Sequence, residues 1–324
     1  MFTQCNHIKL KMNEAGQTGT PFLFGINFEL SEGFFIENPL QQSEILFDIN
    51  GIKNCTEDAE KKLFHFSAFP ESYSHYSQRF NHVMSGLQSG EILLANLTIK
   101  TPIETDLSLK EIFLRSNKAL YRLYIPNRFV CFSPERFVRI ENGKIFSHPM
   151  KGTIDASIEN AAEVILNDFK EKAEHHTIVN LTCDDINRVA IEAKVNRFRY
   201  IDKLETTNGS ILQVSSEIEG TLPNNWLENL GELFFELLPA GSILGSPRQT
   251  SFNIIREAEQ ETRGFYTGVA GFFDGEKLDS CVLIRYIEQI DNLFYFRSGG
   301  GITIDSECRK EYDEAIKKVY LPFQ

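Results

Sequence analysis

No run of about 18 or more apolar residues occurs anywhere in the 324 residues, so no segment reads as a membrane-spanning helix. The opening MFTQCNHIKLKMNEAG has no apolar core of the kind a secretory leader carries, which makes the cytoplasm the expected compartment. Cysteine is sparse and scattered. Cys5, Cys55, Cys131, Cys183, Cys281 and Cys308 form no closely spaced pair, which argues against a disulfide framework or thiolate metal site and for free thiols. Basic residues are outnumbered, 33 Lys and Arg against 45 Asp and Glu, leaving a net charge of −12 and no basic stripe. Nucleic acid is therefore not an expected partner, because binding it requires clustered cations to displace counterions. There is also no Ser/Pro/Gly-rich linker, no repeat of fixed period and no low-complexity segment, so residues 1–324 are expected to form a single domain.

What is abundant is apolar bulk: 42% hydrophobic residues, with 27 Phe, enough for a thick interior. The stretches PFLFGINFEL, EILFDI, EILLANLTI, RFVCFSP and FVRIENGKIFSHPM read as strands. Asn142-Gly143 marks a hairpin turn, since both residues tolerate positive φ, and Asp291-Asn292 marks another. Helical spacing is expected from about Ile158 to Ala193, from Trp226 to Leu238, from Arg248 to Glu261 and from Lys310 to Val319. The strands and helices come in blocks rather than alternating one by one, which predicts an α+β fold with large, mostly antiparallel sheets.

Several residues carry possible chemistry. Lys151, between Met150 and Gly152 just past the hairpin, is either a solvated turn residue or a desolvated amine able to act as a nucleophile. Glu171 and Glu174 share one helical face, as do Glu311 and Glu314; such pairs are solvated surface or hard-oxygen ligands for Mg2+. Gly299, Gly300 and Gly301 are expected directly after a strand, as a bulge or as bare amides for an anion. Arg285, in the apolar VLIRY, requires a partner: a structural carboxylate or a substrate's.

The ordered set FSPERF, HPMKGT, EHHTIVNL, QVSSEIEG, PAGSILGSPR, RGFYTGVAGFFD, CVLIR, SGGGIT and DSECRKEYDEAIKK resembles the successive signatures of the chorismate-utilising enzymes, over residues 127–320. Residues 1–126 resemble a shortened N-terminal part. The resemblance implies the anthranilate synthase component I-like fold, its sheets packed as a sandwich with helices outside. Lys151 fills the slot where anthranilate-forming members have alanine and aminodeoxychorismate-forming members have a lysine that attacks the ring. That disfavours anthranilate, and Leu94, at the slot of a water-activating lysine, disfavours isochorismate chemistry. A non-catalytic chorismate binder would be expected to lose the four glutamates, which are all kept.

By resemblance, Lys151 and Glu135 are the catalytic nucleophile and general acid, in a reaction that makes aminodeoxychorismate for para-aminobenzoate and folate synthesis. Arg285, Tyr266, Ser242, Gly152, Gly299, Gly300, Gly301, Gln213 and Lys318 would line the substrate site, with Gln213 replacing a common histidine. Glu174 and Glu314, supported by Glu171 and Glu311, would hold Mg2+. Ammonia would come from a separate glutamine amidotransferase subunit, since no nucleophilic cysteine with a downstream His-x-Glu is present.

Overall fold

The computed structural model describes residues 2–57, 59, 60, 62–206 and 209–323. Two antiparallel sheets dominate it, one of ten strands and one of nine. The first runs in the order Phe2–Thr3, Gly33–Glu37, Phe22–Ile26, Val269–Phe273, Leu278–Val282, Arg136–Glu141, Lys144–Ser147, Gly209–Thr221 and Met150–Asp155, with Ala193–Thr206 also paired to Gly209–Thr221. The second includes, as neighbours, Leu94–Thr105, Leu293–Ile302, Tyr286–Ile290, Phe129–Ser133, Tyr121–Ile125 and Leu46–Ile49.

The apolar runs are continuous because both faces of these strands are covered. Along Phe22–Ile26, Phe22, Phe24 and Ile26 pack with Ile8 and Met12 of the helix Cys5–Thr18 and with Leu230 and Phe234. The intervening Leu23 points the other way, into a core shared with Phe47, Leu123, Phe129 and Tyr286 of the second sheet. The side-chain period of two thus splits one run between a helix-facing layer and the sandwich interior. Beyond the second sheet, Ala95, Leu97 and Ile99 are covered by Tyr76 and Phe80 of the helix Tyr73–Gln88, by Ile254 and Ile255, and by Tyr312 and Ala315. The expected α+β sandwich with outer helices is what forms.

Local expectations hold where backbone chemistry is strict. Asn142 and Gly143 both take positive φ, 53° and 70°, and bring Glu141 opposite Lys144. Asp291 and Asn292 do the same at 48° and 65°. Elsewhere the structure corrects the reading. The single helix expected over 158–193 is two, Ala161–Asn167 and Phe169–Asn187, broken at Asp168, whose side chain caps the second by accepting from the Glu171 N–H at 2.8 Å. Phe169 and Val164, two of the apolar residues whose spacing of three to four suggested that helix, are 86% and 51% exposed. The Trp226–Leu238 stretch is helical only over Leu230–Glu236. The helices Cys5–Thr18, Tyr73–Gln88 and Leu109–Arg115 and the long hairpin Ala193–Thr206 with Gly209–Thr221 were not anticipated.

The site arises at a double crossing. From Phe129–Ser133 of the second sheet the chain passes through Pro134-Glu135 into Arg136–Glu141 of the first. Beside it, from Leu278–Val282 of the first sheet, the chain passes through Leu283–Arg285 into Tyr286–Ile290 of the second. The crossings are tied together: the Phe132 N–H donates to the Arg285 carbonyl at 3.0 Å, and the Val282 N–H to the Glu135 carbonyl at 3.1 Å. Because Tyr286 is the first residue of its strand, paired with Arg297, the strand Leu293–Ile302 has no partner on that side from Ser298 onward among the described residues and keeps only Leu94–Thr105. The freed edge carries Gly299, Gly300 and Gly301.

Candidate active site

Along that freed edge lies a cleft whose empty space, open mouth included, is about 1040 Å3. Its walls include Lys151, Glu135, Arg285, Tyr266, Ser242, Lys318 and Gly299–Gly301. The three glycines lie inside a strand rather than after one: Gly299, Gly300 and Gly301 pair with Thr98, Leu97 and Asn96. Gly299 is required by close approach rather than turn geometry, since a Cβ there would sit 2.5 Å from the Leu97 carbonyl oxygen, whereas Gly300 and Gly301 leave the edge bare between side chains from either face. A Cβ on Gly301 would sit 3.6 Å from Lys151 Nζ and 3.3 Å from Leu94 Cδ1, and one on Gly300 would sit 3.6 Å from Glu311 Oε2, 4.0 Å from Glu314 Oε1 and 3.8 Å from Lys318 Nζ. Adjacent strand residues face opposite ways. The lysine amine therefore reaches the edge from one face and the carboxylates of the helix Cys308–Lys317 reach it from the other.

Lys151 is aimed by a bulge. In the strand Met150–Asp155, Met150 pairs with Ser215 and Thr153 with Gln213, leaving Lys151 and Gly152 opposite the single residue Val214. Gly152 takes φ +83°, and a Cβ there would meet Glu171 Oε2 at 2.9 Å. Lys151 is half-buried, at the start of this strand rather than in a turn.

Glu135 sits at the first crossing, half-buried on the cleft wall, with Ser242 Oγ donating to its Oε1 at 3.3 Å. Burial raises its pKa, opposed by the positive charges of Lys151, Arg285 and Lys318 and by the Ser242 hydrogen bond. These three cations gather on one cleft in a chain of net charge −12, a field suited to an anionic ligand. Arg285 is not within a strand. It stands at the second crossing with φ 53°, an uncommon conformation outside glycine. Its guanidinium lies over the Tyr320 ring at 5.8 Å, its buried Nε has no partner, and among the described residues no carboxylate forms an ion pair with it. Of the two partners open to it, a structural carboxylate is not there. Tyr266 is buried, its phenol pushed up to about 12, mainly by burial. Lys318 donates to the Gly299 carbonyl at 2.9 Å and pairs with Glu314 at 2.7 Å.

Two of the expected substrate-binding residues, and the four expected Mg2+ carboxylates Glu171, Glu174, Glu311 and Glu314, are not among the residues of the cleft wall. Gln213 is in the middle of Gly209–Thr221, between Thr153 and Asp202, and Gly152 faces Glu171 rather than the cavity. Asn96, Thr267 and His148 line the cleft without having been anticipated. Thr267, a β-branched residue at φ 60°, is a conformation the sequence does not announce. His148 precedes Pro149-Met150-Lys151, and burial lowers its pKa. His175 is also new: it is 1% exposed, its Nε2 lies 2.7 Å from Ser216 Oγ, and burial, with Arg199 second, lowers its pKa to about 4. Its spacing of four from Glu171 on the helix Phe169–Asn187 is the signal that could have found it.

For Mg2+ the donor chemistry fits. Glu311 and Glu314 offer hard oxygens to the one point that Gly300 leaves clear of a side chain, and Glu171 offers one beside Gly152. Among the described residues no three His, Cys, Asp or Glu side chains gather into a metal cluster. Mg2+ is commonly held by one or two carboxylates, with waters and substrate oxygens completing the shell, so the set present suffices.

Comparison with known proteins agrees. The family of chorismate binding enzymes matches residues 35–323. An uncharacterised PabA-like protein of Haemophilus influenzae is 47% identical over 98% of this chain and 97% of its own length. Aminodeoxychorismate synthase component 1 of Salmonella typhimurium is 29% identical over 75% of this chain and 56% of its own, and anthranilate synthase component 1 of Archaeoglobus fulgidus 30% over 71% and 57%. The chain thus spans little more than half the length of those two synthase components. The menaquinone-specific isochorismate synthase of Escherichia coli superposes with a TM-score of 0.72 at 16% identity, over 97% of this chain and 80% of that one, a likeness of fold. With its double-crossing sandwich, cationic cleft and family match over most of its length, the chain belongs to the chorismate-binding enzyme family.

Proposed function

We propose that this chain converts chorismate and ammonia to 4-amino-4-deoxychorismate, as the chorismate-aminating component of an aminodeoxychorismate synthase. The observation that carries this reading is Lys151, an amine turned by a bulge onto the glycine edge of the cleft that also holds Glu135. Identity to aminodeoxychorismate-forming and anthranilate-forming relatives is alike, so overall similarity does not choose between the two products. The lysine does.

The steps balance as two displacements. Glu135, whose pKa burial raises, gives its proton to the ring hydroxyl, which leaves as water. As it leaves, Lys151, in its neutral form, bonds through its lone pair to another ring carbon, the ring double bonds shift and the amine sheds a proton. Ammonia then bonds to the carbon that carried the hydroxyl and sheds a proton, the ring double bonds shift back, and the bond to Lys151 breaks as its nitrogen takes up a proton and returns to the free amine. Dividing one hard substitution into two is what the covalent lysine contributes. Arg285, Lys318 and the amides of the glycine edge bind the substrate's carboxylates, and Tyr266 and Ser242 border the ring. Glu174 and Glu314, with Glu171 and Glu311, would hold Mg2+, which when bound supplies positive charge to a substrate carboxylate. In this reading a separate glutamine amidotransferase subunit delivers the ammonia, and free ammonium substitutes for it in vitro.

The test is incubation of the purified chain with chorismate, Mg2+ and ammonium, with products identified by mass and ultraviolet spectrum. Aminodeoxychorismate supports the reading. Anthranilate, or binding without turnover, refutes it.

A further inference from the structure

We propose that His175 is a positioning residue for Lys151, holding the bulged lysine strand to its neighbours so that the amine stays on the glycine edge; this rests on Lys151 being the attacking group. A bulge leaves its extra residue without regular ladder bonds, and a strand with a weakened ladder is free to slip by one residue, which would turn Lys151 to the opposite face. Something other than the ladder has to fix the register at Lys151-Gly152.

His175 is placed to do so. It projects from the helix Phe169–Asn187, which packs against both Met150–Asp155 and Gly209–Thr221, and it is buried at the junction of the three. Its Nε2 is 2.7 Å from Ser216 Oγ, and the Ser216 backbone N–H donates to the Pro149 carbonyl at 3.0 Å, two residues before Lys151. Ser216 Oγ also accepts from the Arg199 N–H at 3.0 Å, and in the arrangement proposed its own hydrogen goes to the ring. The ring proton therefore belongs on Nδ1. Nδ1 is buried with no partner at full hydrogen-bonding geometry, and the acceptor within its reach is the backbone of Lys151 itself. A buried N–H does not stay unpaired without cost, so the pull is between His175 and the Lys151 carbonyl. A role in packing alone would be filled equally by phenylalanine, since the ring's aromatic neighbour is Phe198 at 5.8 Å.

The experiment compares His175→Phe, which keeps the ring and deletes both polar links, with His175→Asn, which keeps a donor where Nδ1 was. Two readouts are taken: kcat and KM for chorismate with Mg2+ and ammonium, and the rate at which an acetylating reagent modifies Lys151 in the substrate-free chain, followed by peptide mass spectrometry. His175→Phe is expected to lower kcat about 10- to 100-fold, as a misplaced catalytic group does. KM should stay within about a factor of two, the Lys151 modification rate should change, and His175→Asn should recover most of both losses. If His175→Phe fails to fold, Ser216→Ala, which removes only the ring's anchor, is expected to shift both readouts in the same direction. Wild-type kcat and labelling in His175→Phe, or no recovery in His175→Asn, would overturn the proposal. Labelling requires no turnover, so the two readings fail separately. If Lys151→Ala still forms product while His175→Phe changes Lys151 labelling, the functional reading falls and the positioning role stands; an inactive Lys151→Ala with normal labelling in His175→Phe gives the reverse.

Discussion

Gly152→Ala isolates the geometry that aims Lys151. At φ +83° an alanine is in a region that costs about 1–3 kcal/mol for a residue with a Cβ. The new methyl would also approach Glu171 Oε2 at 2.9 Å and Ile165 Cδ1 at 3.4 Å. The first of these is the end of a flexible side chain that swings aside, and the second is ordinary contact, so backbone strain outweighs both. Glu171 is displaced in the process. Two losses should appear together: urea unfolding shifted by about 1–3 kcal/mol, and a fall in kcat as the bulge relaxes and the amine leaves its place. The assay pairs denaturation followed by circular dichroism with initial rates of aminodeoxychorismate formation. A variant within about 0.5 kcal/mol of the parent, the scatter of ordinary surface substitutions, and with unchanged turnover would refute the claim that the bulge sets the lysine.

Glu135→Gln should cost about 10²- to 10⁴-fold in kcat, the range for a lost general acid. In the parent, a raised pKa means the proton is held below that pKa and lost as pH climbs through it, so the rate should fall on the alkaline side of that pKa and the pH-rate profile of Glu135→Gln should lack that limb. Arg285→Ala removes a charge-assisted contact worth about 1.5–3 kcal/mol and should lower kcat/KM for chorismate about 10- to 100-fold, read from initial rates across chorismate concentrations. Glu314→Gln should raise the Mg2+ concentration for half-maximal activity, and a titration of Mg2+ against rate at fixed chorismate checks it.

How much of this was legible in the sequence follows the range of the forces involved. The turns at Asn142-Gly143 and Asp291-Asn292 are set by the backbone freedom of two residues each, and both form as read. The apolar runs read as strands because both faces are covered, which does not depend on what covers them. The break at Asp168 was readable too, since Asp168 three residues before Glu171 is a capping pattern, but the apolar period running through Val164 and Phe169 masked it. The helix Cys5–Thr18 was readable, since Ile8, Met12 and Ala15 fall four and three apart with mostly polar residues between, but so few apolar residues mark the stripe that it does not stand out. The hairpin of Ala193–Thr206 and Gly209–Thr221 escaped because few of its residues are apolar enough to show an alternation.

In the site, the residues that motifs pick out meet at one cleft, but their geometry is non-local. That Gly299–Gly301 form an open strand edge depends on the neighbouring strand starting at Tyr286, and that Arg285 turns into the cleft depends on the same crossing. No spacing within SGGGIT or VLIRY encodes either. Gln213, placed in the substrate set by its position in QVSSEIEG, lies two strands deep in the sheet beside Thr153, so motif membership did not bring it to the cavity.

The central claim is tested most directly by intact-chain and peptide mass spectrometry after mixing the protein with chorismate and Mg2+ in the absence of any ammonia source. A gain equal to chorismate less one water, mapped to Lys151 and discharged when ammonium is added, is the predicted result. No adduct at any time point, together with full aminodeoxychorismate formation by Lys151→Ala, would contradict it.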